Sequence, residues 1–196
     1  MRLSTSNGRR TYSLRVIIYI GLVFSPILAE GTLYFQGIYD LDKDGVQESL
    51  LLNSGKQSAS WVELVDNKVV QVIWQYSLPY KGQFADAELL DLDGDGLLDL
   101  VAVTKLSPST DTKDWLYIFR GTGNNFEAIP STLNYTSLDL GKVRPLNISK
   151  ISKTNNQLAV AFGTPVRQAM IFNLSLSDEK ITLKNKKMLS APIIEN

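Results

Sequence analysis

Beyond residue 30 the apolar residues come in short runs separated by turn-forming residues, and no window sustains a 3.6-residue period over helical length. Apolar segments at Thr32–Tyr39 and Ala87–Leu90 each lead into an acidic, glycine-containing loop, and strand-like runs at Ser49–Leu52 and Leu100–Thr104 follow. Two aromatic stretches come next, WVELVDNKVVQVIWQYSL from Trp61 and DWLYIFRGTGNNFEAI from Asp114. Asp66-Asn67 and the run Gly121–Asn125 supply turn chemistry inside them, so each is expected to fold as a β-hairpin. The pattern predicts an all-β protein.

These features recur. YDLDKDGVQESLLL from Tyr39 aligns without gaps on LDLDGDGLLDLVAV from Leu90, at a constant offset of 51 residues. A fixed period of this length marks an array of supersecondary units. A third unit keeps the strands but not the loop: QLAVAFGT from Gln157 matches the strand after the loop, and QAMIFNLSLS from Gln168 with KITLK from Lys180 matches the hairpin. SKISKTNN from Ser149 carries no acid where a loop would lie, so the third unit is expected to hold no metal. Lys184, Lys186 and Lys187 read as the guard residues of a solvated edge strand. The repeats are placed at about 32–85, 86–140 and 141–190, together forming one domain over 30–196.

The first 29 residues differ in kind. They hold Arg2, Arg9, Arg10 and Arg15 and no acid, and end in the apolar run Val16–Ala29, which Pro26 interrupts. That run is shorter than the ~20 residues needed to span a bilayer. A basic start, a short apolar core and small residues at its end describe a secretory signal, cleaved after Ala29 or Gly31, or else kept as an anchor. The expected location is secreted or periplasmic. LYFQG at Leu33–Gly37 falls where the first strand begins and is read as native.

Removing the four signal arginines leaves 16 basic against 20 acidic residues, a net charge of −4 that gives no basis for nucleic-acid binding. Cysteine and histidine are both absent. That excludes disulfides, thiol nucleophiles, thiolate metal sites and the commonest general base. Three sequons, at Asn134, Asn147 and Asn173, are within chance expectation.

The loop pattern D-x-D-x-D-G-x-x-[DE] suits a hard divalent cation. Calcium takes six to eight oxygens at roughly 2.3–2.6 Å, and alternate side chains of a tight loop bring three carboxylates inward. The glycine after the third aspartate permits the turn. This assigns Asp40, Asp42, Asp44, the Val46 carbonyl and Glu48 to one ion, and Asp91, Asp93, Asp95, the Leu97 carbonyl and Asp99 to another. Without a cation each loop crowds four negative charges together at substantial Coulomb cost. An EF-hand requires a glutamate at position 12 and flanking helices, whereas Leu51 and Ala102 stand there and strands follow.

At these residues the chain resembles the FG-GAP/VCBS repeats, the calcium-loop blades of integrin α-type β-propellers. The resemblance covers roughly residues 32–185 and implies four-stranded blades with the aspartate loop between the first two strands. Three such blades are fewer than a closed propeller needs, so the array is expected to be incomplete or closed by a homo- or hetero-oligomeric partner. The resemblance implies a non-catalytic calcium-binding module for protein or carbohydrate recognition or for scaffolding. Trp61, Trp74, Tyr76, Tyr80 and Trp115 are the aromatic candidates for a binding surface, with burial between blades as the competing role. The alternatives are a carboxylate-dependent carbohydrate-active enzyme, for which Asp111, Asp114 and Glu127 remain, and a structural subunit of an envelope assembly.

Overall fold

The computed structural model describes residues 33–106, 114–134, 144–152, 156–163, 168–177 and 180–190. The expected signal segment and Asp111 lie outside the described residues. The described residues form twelve strands and contain no helix. The first sheet holds β1 (Leu33–Phe35), β2 (Gln47–Asn53), β3 (Ser58–Val65) and β4 (Lys68–Ser77). The second holds β5 (Gly82–Leu90), β6 (Asp99–Leu106), β7 (Asp114–Phe119) and β8 (Ser131–Asn134). The third holds β9 (Arg144–Ser152), β10 (Gln157–Gly163), β11 (Gln168–Ser177) and β12 (Lys180–Ser190). Each sheet is an antiparallel meander in chain order. The protein is all-β, with three four-stranded sheets in an open, incomplete propeller-like array.

Local sequence accounts for much of this. The β3–β4 hairpin turns on Asp66 and Asn67, both at positive φ (51° and 59°), as a two-residue turn between right-twisted strands requires. Between β7 and β8 the Thr122 N–H donates to the Asn125 carbonyl at 2.8 Å, and a bridge joins Gly121 to Phe126. β8 then begins only at Ser131, later than a simple hairpin would allow. β5 begins at Gly82, ahead of the repeat edge read at residue 86, and β9 continues through Ser149–Ser152, where the lost loop was sought.

The inner strands of the middle sheet, β6 and β7, are buried on both faces over residues 100–103 and 115–119, and there they carry continuous apolar runs instead of strict alternation. Leu100, Ala102, Tyr117 and Phe119 pack with Leu50, Leu52, Trp61 and Trp74 of the first sheet. Val101, Val103, Trp115 and Ile118 pack with Val160, Phe162, Met170 and Phe172 of the third. Trp115 and Leu116 are sequence neighbours in that same cluster, and a register shift between Asp114 and Leu116 allows it.

The first strands of the second and third sheets and the residue that follows β1 converge on one carboxylate. Asp86 of β5, 3% exposed, accepts from Gln36 Nε2 at 2.5 Å, from the Ile148 N–H at 3.1 Å and from the Asn147 side-chain amide. Glu88 likewise accepts the Lys150 N–H at 3.3 Å. β5 thus covers donors on β9, an edge strand, with acidic side chains. The opposite edge, β12, exposes Lys184, Lys186 and Lys187, the lysine guard read from the sequence.

Candidate metal centre

The two acidic loops join the first and second strands of the first two sheets, Gln36–Val46 between β1 and β2 and Asp91–Leu98 between β5 and β6. Their backbones repeat position by position. In each, the N–H of the third aspartate donates to the second (Asp44 to Asp42 at 3.2 Å, Asp95 to Asp93 at 3.3 Å). Two residues on, the Val46 N–H reaches Asp44 and the Leu97 N–H reaches Asp95, both at 2.7 Å. These side-chain-to-backbone turns fold the chain into a cup whose rim is carboxylate.

The same residues adopt left-handed backbone in both loops: Lys43 (φ 62°) with Gly94 (83°), and Gly45 (87°) with Gly96 (88°). The glycine after the third aspartate was legible from the motif. The second left-handed position was not, although Gly94 signals it in the second loop. In the first loop a lysine occupies it.

Carboxylate oxygens of Asp40, Asp42, Asp44 and Glu48 lie within 4.8 Å of one another, as do those of Asp91, Asp93 and Asp95. Both clusters are able to hold a metal ion. The three aspartates of the first loop are exposed, whereas Glu48 is buried at its floor. Glu48 Oε2 accepts the Leu41 N–H at 2.7 Å. Burial raises the Glu48 pKa above its ordinary value; that hydrogen bond opposes the rise, and Asp42, Asp40 and Asp44 add to it.

The second loop differs at its last carboxylate. Asp99 is buried and stands outside the group formed by Asp91, Asp93 and Asp95. Its two oxygens accept the Leu92 N–H at 3.0 Å and the Gly121 N–H at 3.0 Å, which bind β6 to the β7–β8 connection. Burial raises its pKa too, against those two hydrogen bonds and with the help of Asp93 and Asp95. Gly121 is required there, because a Cβ would lie 2.4 Å from the Leu98 carbonyl oxygen. Asp91 instead collects the Gly94 N–H at 2.7 Å and the Gly96 N–H at 3.1 Å. The Arg120 guanidinium lies 3.9 Å from Asp93, a neighbour that the loop motif could not reveal. Asn156 donates to the Asp91 carbonyl at 2.9 Å, tying this loop to the third sheet.

The aromatic candidates are mostly interior. Trp61 and Trp115 are fully buried and Trp74 nearly so, while Tyr76 and Tyr80 are half-buried. Phe126 packs edge-on against Trp61 and Trp74, both at 5.4 Å between centroids, and the Tyr80 hydroxyl pairs with that of Tyr117. Of the carboxylates left for catalysis, Glu127 is exposed and Asp114 half-buried. No family model matches the chain, and neither the curated proteins nor the solved structures compared with it contain a match.

Proposed function

We propose that this is an exported calcium-binding module of the FG-GAP/VCBS kind, acting in recognition or scaffolding and not in catalysis. Each aspartate loop takes one calcium ion, held by Asp40, Asp42, Asp44, the Val46 carbonyl and Glu48 in one case. In the other, Asp91, Asp93, Asp95 and the Leu97 carbonyl hold the ion, with Asp99 bracing the loop or joining the ligands once the ion is present. The observation that carries the reading is the duplication of an acidic cup: equivalent residues, 51 apart, make the same hydrogen bonds and gather carboxylates within 4.8 Å. An all-oxygen, mostly anionic donor set fits calcium better than softer metals.

Calcium in this setting is structural. It neutralises the rim carboxylates and fixes the cups that connect the strands of the first two sheets. The burial of the three tryptophans weighs against an aromatic sugar platform and favours protein recognition or scaffolding. Thermal melts with millimolar calcium and then with a chelator test the reading. Calcium is expected to raise the midpoint, and Asp42→Ala and Asp93→Ala should each remove part of the rise. Superimposable melts would sink the calcium assignment and the family proposal with it.

A further inference from the structure

Strand β4 is an edge of the first sheet, paired on one side with β3 and on the other with no described strand. Its composition is unusual for such a position. After Lys68, the segment Val69-Val-Gln-Val-Ile-Trp74 has no charge, no proline and no glycine, and Val69, Val70 and Val72 are 43%, 57% and 50% exposed. Short uncharged segments of high β-propensity on an open edge are templates for another strand.

The remaining edges are managed. β12 is studded with exposed lysines, β8 has only four residues and β1 three, and β9 donates to Asp86 and Glu88. Register shifts after Trp61 and after Glu63 leave Ile73 and Val70 without opposite numbers on β3. They increase the local twist of β4.

We propose that β4 is a strand-addition site whose occupant is β4 of a second copy of this chain, paired antiparallel about a two-fold axis through Gln71. Charge selects both the partner and the direction. The lysine-rich β12 would bring a row of cations onto an apolar strand, whereas β4 meets itself with valine and isoleucine opposite valine. A two-fold through residue 71 sets Val70 opposite Val72 and Val69 opposite Ile73, and keeps the two Lys68 side chains roughly 20 Å apart at 3.4 Å per residue, beyond the Debye length of about 8 Å. Parallel pairing in register would set them about 4.8 Å apart. Backbone hydrogen bonds supply the affinity, and the exposed valines supply the apolar contact. The pairing is independent of the metal.

Sedimentation of the full chain over a concentration series tests it. A reversible dimer is expected. Val70→Lys and Val72→Lys, at exposed positions, should each weaken it by roughly tenfold or more by placing an unpaired charge in the new sheet, with the circular dichroism unchanged. Because the chain has no cysteine, Gln71→Cys gives a single reporter that should cross-link into a disulfide dimer under mild oxidation. A chain that stays monomeric at its highest soluble concentration would overturn the proposal. A dimer insensitive to both lysines, or a Gln71→Cys protein that never cross-links, would show that another surface forms the contact and would overturn it equally.

Discussion

Lys43 and Gly94 hold the same place in the two loops, yet only one of them is suited to it. A non-glycine residue in the left-handed region costs on the order of 1 kcal/mol, and Lys43 adopts φ 62° there. A Cβ at Gly94 would meet nothing within 4 Å, so the cost is conformational and not steric. Lys43→Gly is therefore expected to stabilise the metal-free protein by about 0.5–1 kcal/mol, and Gly94→Ala to destabilise it by a similar amount, in urea titrations. At the floor of the first cup, Glu48 is disfavoured as an anion by burial and by three aspartates. Glu48→Gln should then raise the melting temperature in chelator while shrinking the rise that calcium produces. If the substitution lowered both, Glu48 would be bracing the loop and not binding the ion.

Strands and their connections set the next scale, where a few buried polar groups fix how sheets meet. Asp86→Ala would leave the Ile148 N–H and the amides of Gln36 and Asn147 without their acceptor at the junction of three sheets. Each orphaned buried group costs ~1–3 kcal/mol, so the loss should reach about 2–4 kcal/mol in denaturant titrations. Tyr117 marks the contact between the first and second sheets. Burial, with the hydroxyl of Tyr80 beside it, pushes its pKa well above the ordinary 10.0. The folded state keeps this proton where the unfolded chain releases it, so the Tyr117 contribution to stability is flat below pH 10.0 and falls as the pH rises beyond it. Tyr117→Phe should flatten part of that alkaline decline, as followed by midpoints between pH 9 and 11. An unchanged slope would mean that other tyrosines, Tyr76 and Tyr39 among them, carry it.

Across the whole molecule, what was legible in the sequence was what short-range chemistry determines. The Asp66-Asn67 turn, the two aspartate cups and the lysine edge of β12 all follow from residues adjacent in the chain. Asp86, Arg120 and the strapping of Asp99 by Gly121 were not legible, because each depends on partners brought together only when the sheets pack. That packing also governs how the protein should unfold. The middle sheet contributes to both apolar cores, so removing either outer sheet strips one face of it. Trp61 and Trp74 report on the contact between the first and second sheets, and Trp115 on that between the second and third. In a repeat array held by nearest-neighbour contacts, the coupling across each contact decides whether units melt together or apart. With buried tryptophans on both faces of one four-stranded sheet, the coupling is strong, and one cooperative transition is expected. Fluorescence of a Trp61→Phe, Trp74→Phe protein, which sees only Trp115, should therefore coincide with its far-ultraviolet dichroism through the denaturant transition. A fluorescence midpoint displaced from the dichroism would mean that the third sheet, whose first connection has no acidic residue in its sequence, separates from the other two as an independent unit.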